Sequence, residues 1–127
     1  MDGSANILNW FDISVNDIAR AKKFYETIFS IQMQETEMMG MKMAFFPMEE
    51  MNGKVSGCLA QGPMHKPSAD GVKIYLNANP DMGAVLEKIE GAGGVITMPK
   101  GLISEEIGYM AFFMDTEGNA MALHSNK

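Results

Sequence analysis

The sequence is poor in the residues from which several kinds of protein are built. A single cysteine excludes an intrachain disulfide, and two histidines are too few to recognise a Ser/His/Asp or Cys/His arrangement. Lys and Arg number 10 against 16 Asp and Glu, so the chain lacks the basic face that a nucleic acid requires. It also lacks an apolar run long enough to span a bilayer and a basic, apolar secretory start. We therefore predict a cytoplasmic protein with no nucleic-acid or membrane partner.

Methionine is the residue type present in unusual number, at 14 of 127 residues. Met38, Met39, Met41 and Met43 lie close together, and thioethers are ligands for copper(I). However, Met41 and Met43 alternate with other residues as in a strand, and no cysteine or histidine joins them. We favour methionine as a filler of irregular apolar surface. Cys58 lies in an apolar stretch and is predicted to be a buried small side chain rather than a nucleophile.

Residues 10–15 alternate as in a half-buried strand, with Phe11, Ile13 and Val15 on one face. Asn16 or Asp17 then caps a helix. The apolar stripe of that helix is Ile18, Ala21, Phe24, Tyr25, Ile28 and Phe29. Such a stripe fits a helix that lies on one face of a sheet.

The same pattern returns at residues 73–78, where Ile74, Leu76 and Ala78 are the apolar members. Asn79-Pro80 predicts an N-cap followed by proline at the first helical position. The helical stripe is Met82, Val85, Leu86 and Ile89, and the glycines at 91, 93 and 94 end the helix. A phosphate loop is not predicted there, because these glycines end a helix instead of opening one.

The letters of the two halves also match. Met-Ala-Phe-Phe occurs at residues 43–46 and again at 110–113. Each copy is followed by an acidic turn, at 49–53 and 115–119, whose Gly and Asn tolerate positive φ. Short final strands are predicted around 55–60 and 120–125. This shared order of elements indicates an internal duplication.

We predict one domain, residues 1–127, made of a first half at 6–61, a linker at 62–71 and a second half at 72–127. The linker is assigned from its Pro, Gly and polar residues. It contains His65, which we expect to be a solvated loop residue unless the linker folds over a pocket.

Both ends of the chain resemble a known family. The segments that carry the resemblance are Val15-Asn16-Asp17, Ala21-Lys22-Lys23-Phe24-Tyr25-Glu26, Ile28-Phe29 and Asp115-Thr116-Glu117-Gly118-Asn119-Ala120-Met121-Ala122-Leu123. They resemble the opening and the "D-P-x-G-N-x-x-E-L" ending of vicinal oxygen chelate proteins, the superfamily of glyoxalases, bleomycin-resistance proteins and extradiol dioxygenases. The resemblance implies an α+β fold in which two βαβββ repeats form a curved antiparallel or mixed sheet around a cavity, with the helices outside. Because one fold hosts many functions, it implies less about the reaction.

The resemblance also implies where metal ligands would stand, one on the first and one on the last strand of each half. These positions fall on Trp10, on Gly57 (or Cys58, with a one-residue uncertainty), on Lys73 and on Ala122, where metal-dependent relatives carry glutamate. Indole, ammonium and methyl groups do not bind Zn²⁺, Ni²⁺ or Fe²⁺. We therefore predict no metal and no other cofactor.

The strand alternation predicts which side chains face the cavity. They are Trp10, Asp12, Ser14, Lys73, Tyr75, Asn77, Ala122 and His124. An aromatic wall with a few polar groups is typical of a small-molecule site, although a shallow sheet wetted by solvent is the plainer interpretation. Asp12 and Lys73 could form an ion pair between the halves, or one could act as a general base. Glu105, Glu106 and Tyr109 are weaker candidates for the mouth of the cavity, and a solvated loop is favoured for them.

Three functions stay open, and no catalytic residue can be assigned. The first is a metal-independent protein that binds a small organic molecule by stacking it on Trp10 and Tyr75. The second is a lyase or dioxygenase with atypical ligands such as His124 and Cys58, and the third is a non-catalytic interaction domain. The unsuitable ligand set favours the first. The resemblance also implies that the chain forms a homodimer.

Overall fold

The computed structural model describes residues 1–49 and 53–127, and its elements form two modules of the same order. Module 1 contains β1 (Trp10–Ser14), α1 (Ile18–Phe29), β2 (Gln34–Met38), β3 (Met41–Phe45) and β4 (Ser56–Gln61). Module 2 contains β5 (Tyr75–Asn77), α2 (Met82–Ile89), β6 (Val95–Ser104), β7 (Gly108–Met114) and β8 (Ala120–Ser125). The predicted α+β fold of two βαβββ repeats is confirmed. The predicted turn at 49–53 lies partly outside the described residues.

Each module folds into a four-stranded mixed sheet. The strand orders are β1-β4-β3-β2 and β5-β8-β7-β6, with a parallel first pair and antiparallel pairs after it. The strands β1 and β5 are therefore edge strands. Among the residues that the structure describes, no hydrogen-bonded ladder joins these two edges.

The helices begin at aspartates. Asp17 caps α1, where its side chain accepts a hydrogen bond from the Arg20 N–H. For α2 the predicted cap, Asn79, is wrong: Asp81 caps the helix and accepts from the Gly83 N–H. The Asn79 side chain is used elsewhere, since its Oδ1 accepts from the Asn126 N–H, and the Asn79–Pro80 peptide is cis.

One face of both sheets is covered by α1 and α2, and the modules share the core that results. The predicted apolar stripes lie in this core, and Ile13, Leu59, Leu76 and Leu123 are buried there. The Phe24 ring of α1 lies 6.0 Å from the Phe113 ring of β7, which joins one module to the other.

The turn between β7 and β8, residues 115–119, holds module 1 through side chains; we call it the acidic clamp. The Glu117 carboxylate accepts hydrogen bonds from the backbone N–H groups of Asn16 and Asp17, at 2.9 Å each. It also accepts from Arg20, with Nε 2.7 Å from Oε2, although the Arg20 side chain is 51% exposed. Burial alone would raise the pKa of Glu117, but these hydrogen bonds outweigh it and hold the pKa below 4.5.

Two more residues of the acidic clamp reach module 1. The Tyr25 hydroxyl donates to Asp115 at 2.7 Å, and Asn119 Nδ2 donates to the Ser14 carbonyl at 2.8 Å. Burial of Tyr25, followed by the charge of Asp115, raises the pKa of this phenol well above its usual value. A turn of module 2 thus organises both the helix start and the first strand of module 1.

No helix in the described part of the chain has the length and apolar character needed to cross a membrane.

Candidate functional site

Of the predicted cavity residues, Trp10, Asp12, Lys73, Tyr75 and Ala122 lie on the sheet faces turned away from the helices, which we call the far faces. On the far face of sheet 1, Asp12 of β1 is the register partner of Cys58 on β4. On the far face of sheet 2, Tyr75 of β5 is the register partner of Ala122 on β8. Each pair is followed by a buried core pair, Ile13 with Leu59 in sheet 1 and Leu76 with Leu123 in sheet 2. The two pairs are therefore equivalent positions of the duplicated module, with Asp12 matching Tyr75 and Cys58 matching Ala122.

On the far face of sheet 1, the Asp12 carboxylate is the centre of a hydrogen-bonded cluster. Its Oδ1 accepts from Trp10 Nε1 at 3.0 Å and from Cys58 Sγ at 3.2 Å, and its Oδ2 accepts from His65 Nε2 at 3.1 Å. Burial acts to raise the pKa of Asp12, but the hydrogen bonds from His65, Cys58 and Trp10 together lower it. The carboxylate is therefore charged and already bound at neutral pH.

Cys58 is buried, as its apolar surroundings predict. Burial and then the neighbouring Asp12 raise the pKa of the thiol to about 12. A thiol in this state is protonated at neutral pH, whereas nucleophilic attack needs the thiolate.

His65 shows that the linker folds over the far face of sheet 1. Its side chain is only 14% exposed, and a tight turn forms in which the His65 N–H donates to the Gly62 carbonyl at 3.1 Å. Gly62 itself lies against Met41, because a Cβ added there would be 2.8 Å from the Met41 Cγ. Beneath the linker, Met43, Cys58 and Ala60 form a small buried cluster separate from the main core. His65 is therefore not a solvated loop residue.

The four positions that correspond to metal ligands do not carry suitable side chains. Gly57 faces the helix side, because a Cβ there would lie 2.7 Å from the Phe11 ring, so Cys58 occupies the far-face position. The set is then Trp10, Cys58, Lys73 and Ala122, in which only the thiol could coordinate a metal ion. Among residues 1–49 and 53–127, no three or more His, Cys, Asp or Glu residues lie together where they could hold a metal ion.

On the far face of sheet 2, the side chains form a separate group around Phe112. Lys73 Nζ lies 4.7 Å from the centre of the Phe112 ring, and the Tyr75 ring packs edge-on against it at 6.2 Å. Ala122 is fully buried in register with both aromatic residues. Lys73 does not form the ion pair with Asp12 that was considered, since the described ion pairs of Asp12 involve His65 alone.

The remaining predicted residues serve local contacts. His124 Nε2 donates to the Ile107 backbone carbonyl at 2.6 Å, and Asn77 Oδ1 accepts from both the backbone N–H and Nδ2 of Asn79. Glu105 and Glu106 are exposed in the turn between β6 and β7. Tyr109, which follows that turn, lies beneath Lys100 Nζ at 4.4 Å from its ring centre.

A cleft of about 560 Å³ is lined by residues of both modules, among them residues of β1 and β5; we call it the seam cleft. Its lining residues are Leu8, Phe11, Phe29, Ile31, Phe46, Pro47, Val55, Ser56, Ile74, Tyr75, Leu76, Asn77 and Asn79. Of the predicted site residues, only Tyr75 and Asn77 line it. Sequence reasoning missed its apolar walls, because alternation assigned Phe11 and Ile74 to the helix-covered core. Both are only partly buried, a consequence of how the modules meet that no local pattern encodes.

Comparison with known proteins agrees with this architecture. The model of the Glyoxalase/Bleomycin resistance protein/Dioxygenase superfamily matches residues 7–123. Two relatives, each named "Putative glyoxylase CFP32" and found in Mycobacterium bovis and Mycobacterium tuberculosis, are 30% identical over 118 residues. That match covers 91% of this chain but 44% of the relatives, so the chain spans less than half of their length.

Solved structures with the same fold are more distant in sequence. A glyoxylase/bleomycin resistance protein/dioxygenase domain from Frankia superposes with a TM-score of 0.72 at 14% identity, covering 96% of this chain and 98% of that one. A glyoxalase I mutant from Zea mays gives 0.63 at 17% identity, covering 94% of this chain and 46% of that one. At these identities the likeness shows the fold alone.

Proposed function

The chain belongs to the Glyoxalase/Bleomycin resistance protein/Dioxygenase superfamily, and we propose that it binds a small organic molecule without the metal centre of metal-dependent members. The observation that carries the proposal is the side-chain set at the four ligand positions. Trp10, Lys73 and Ala122 offer no ligand for a metal ion, and Cys58 offers a single buried thiol that donates to Asp12. The nearest carboxylate, Asp12, is already bound by three donors.

The alternative is a metal-dependent lyase or dioxygenase with atypical ligands, and the two relatives named as glyoxylases favour it. Against it, the candidate ligands Cys58 and His124 lie on different sheets and are each engaged elsewhere. A non-catalytic interaction domain is the third candidate. The seam cleft supports ligand binding over that candidate, because its size falls within the range of small-molecule sites.

The partner in this proposal is a small organic molecule. A homodimer and a cytoplasmic location are part of the same proposal, and they rest on the family resemblance and on the acidic, apolar-run-free composition.

Metal content and activity test the proposal together. Purified chain, before and after incubation with Zn²⁺, Ni²⁺ or Fe²⁺ and desalting, is measured by elemental mass spectrometry and assayed for glyoxalase and extradiol dioxygenase activity. We expect well under one metal ion per chain, no metal-stimulated activity, and ligand-induced rises of the melting temperature within a small-molecule library.

A stoichiometric metal ion that is lost in both Cys58→Ala and His124→Ala would instead establish the atypical-ligand enzyme. Lys22→Ala, a change in α1 and on neither sheet, is the control variant for those two substitutions. An unchanged melting temperature across the whole library, with no metal and no activity, would favour the interaction domain.

A further inference from the structure

The seam cleft differs from the far faces in its charge. Its lining residues include no Asp, Glu, His, Lys or Arg, whereas the far faces carry Asp12 and Lys73. Transfer of an ionised ligand into such a lining would cost its hydration without providing a counter-charge. The cleft therefore selects a neutral molecule.

The walls of the seam cleft are aromatic. The Phe11 and Phe46 rings lie 5.8 Å apart at 47°, and Phe46 also packs edge-on against the buried Tyr25 at 5.7 Å. Gly57 makes room for this wall, because a Cβ there would lie 2.5 Å from the Phe11 carbonyl oxygen and 2.7 Å from its ring. Tilted and edge-on rings of this kind favour a planar aromatic ligand.

Hydrogen-bond donors stand at one end of the seam cleft. Asn77 and Tyr75 line the cleft, and Asn77 Oδ1 accepts from the backbone N–H and Nδ2 of Asn79, which leaves the Asn77 NH₂ group as the donor of that amide for a ligand. In parallel pairing, alternate residues bond to the neighbouring strand, and Ile74 and Ala78 are the ones that bond to β8. The backbone groups of Tyr75 and Asn77 therefore point away from β8, toward the seam.

We propose that the seam cleft, and not the far faces, is the ligand site, and that its ligand is a neutral aromatic molecule with a carbonyl or ether oxygen. This inference rests on the proposed ligand-binding function and assigns its place and chemistry. The ring packs against Phe11 and Phe46, and its oxygen accepts from the Asn77 amide. The cleft volume of about 560 Å³ accommodates a molecule of two fused rings.

The test compares 2-acetylnaphthalene, which is neutral, with 2-naphthoate, which has a similar ring and a carboxylate. Equilibrium dialysis measures the Kd of both for the wild-type chain and for three variants. Asn77→Asp keeps the acceptor for Asn79 and replaces the NH₂ donor by a charge; Val55→Glu charges the rim at a residue that is 38% exposed. Lys73→Gln, on the far face next to the same strand, is the matched control.

For the wild-type chain we expect 2-acetylnaphthalene to bind at least about tenfold more tightly than 2-naphthoate. Asn77→Asp and Val55→Glu should each weaken binding of the neutral probe about tenfold, and Lys73→Gln should leave it unchanged. Circular dichroism and the melting temperature of each variant show that it is folded.

Three results would overturn the assignment. Loss of binding in Lys73→Gln, with Asn77→Asp and Val55→Glu unaffected, would move the ligand to the far face and leave the proposed function standing. Saturable binding of other molecules, but not of 2-acetylnaphthalene at about 1 mM, would contradict the proposed ligand class and leave the proposed function standing. A dimer that Val55→Glu converts to a monomer, with no probe bound, would assign the cleft to a second copy of the chain.

Discussion

The two modules contain the same elements in the same order, and equivalent positions on their far faces are buried to a similar degree, yet the groups bound there differ. In module 1 Cys58 is fully buried and the Asp12 side chain is 38% exposed, and the linker reaches Asp12 through a hydrogen bond from His65. In module 2 the equivalent residues are Ala122, which is fully buried, and Tyr75, which is 49% exposed and packs on Phe112. The linker occurs once in the chain, so duplication could not supply it to both modules. The difference teaches that the repeat sets the scaffold and its burial, while the single linker sets which far face carries a hydrogen-bonded carboxylate.

The largest expected effect is on thiol reactivity, which measures how far a reagent can reach Cys58 on the far face of module 1. Because Cys58 is buried and its pKa is raised to about 12, native protein should react with iodoacetamide at least about a hundredfold more slowly than urea-unfolded protein. The reference measurement is Tyr75→Cys in a Cys58→Ala background, which places a thiol at an exposed position on the far face of module 2. It should react at nearly the unfolded rate. Equal protection of both thiols would contradict the difference in burial between positions 58 and 75.

The next largest effect is on the free energy of unfolding when the hydrogen bonds from module 1 to Glu117 are removed. Glu117→Ala leaves the N–H groups of Asn16 and Asp17 without their acceptor and should lower the free energy of unfolding by about 2–3 kcal/mol. Urea denaturation measures it. Glu90→Ala, an exposed glutamate at the end of α2, should change it by less than about 0.5 kcal/mol. A similar loss in both variants would show that the acidic clamp contributes nothing specific.

A smaller effect is expected for His65→Ala, which makes the far face of module 1 resemble that of module 2. It removes a hydrogen bond to a partly exposed carboxylate, so the free energy of unfolding should fall by about 0.5–1.5 kcal/mol. The labelling rate of native Cys58 should rise at the same time. Met64→Ala, at an adjacent residue that is 88% exposed, is the control and should change neither quantity.

The smallest effect is the pH dependence that each module contributes through one carboxylate, Asp12 or Glu117. Hydrogen bonds lower the pKa of both in the folded state, so the stability they contribute is complete above their usual values of 3.8 and 4.5. It is lost as the pH falls through the lower folded values. Unfolding free energies measured between pH 6 and pH 3 should therefore fall less steeply in Asp12→Asn and Glu117→Gln than in the wild type. A steeper fall in either variant would contradict the assigned direction.

Features encoded locally could be predicted from the sequence. β8 has the predicted bounds, Ala120–Ser125, because its alternation follows a turn with Gly118 and Asn119. The start of α2 was misplaced because Asn79 and Asp81 are both good caps, and only the path of the chain chooses between them. The Asn79–Pro80 pair is the stronger sequence signal for a helix start, yet it precedes the residue that caps α2.

The candidate site was less predictable, for a physical reason. Alternation tells which face of its own sheet a residue occupies, but not what approaches that face. His65 is positioned by the path of the linker, and the seam cleft by contacts between modules such as Phe24 with Phe113. These contacts join residues about 90 positions apart in the chain. Helix and strand periodicities relate residues only a few positions apart, so they cannot predict such contacts.

The acidic clamp has a consequence for how the chain unfolds. Tyr25 with Asp115, and the start of α1 with Glu117, join groups that neither module can satisfy alone. If module 2 melted first, the start of α1 would lose its acceptor Glu117, and buried Phe24 would lose Phe113. A repeat of two units can unfold in two steps when its units are independent. Here the shared polar contacts couple the halves, so denaturation should be a single cooperative transition of the whole chain.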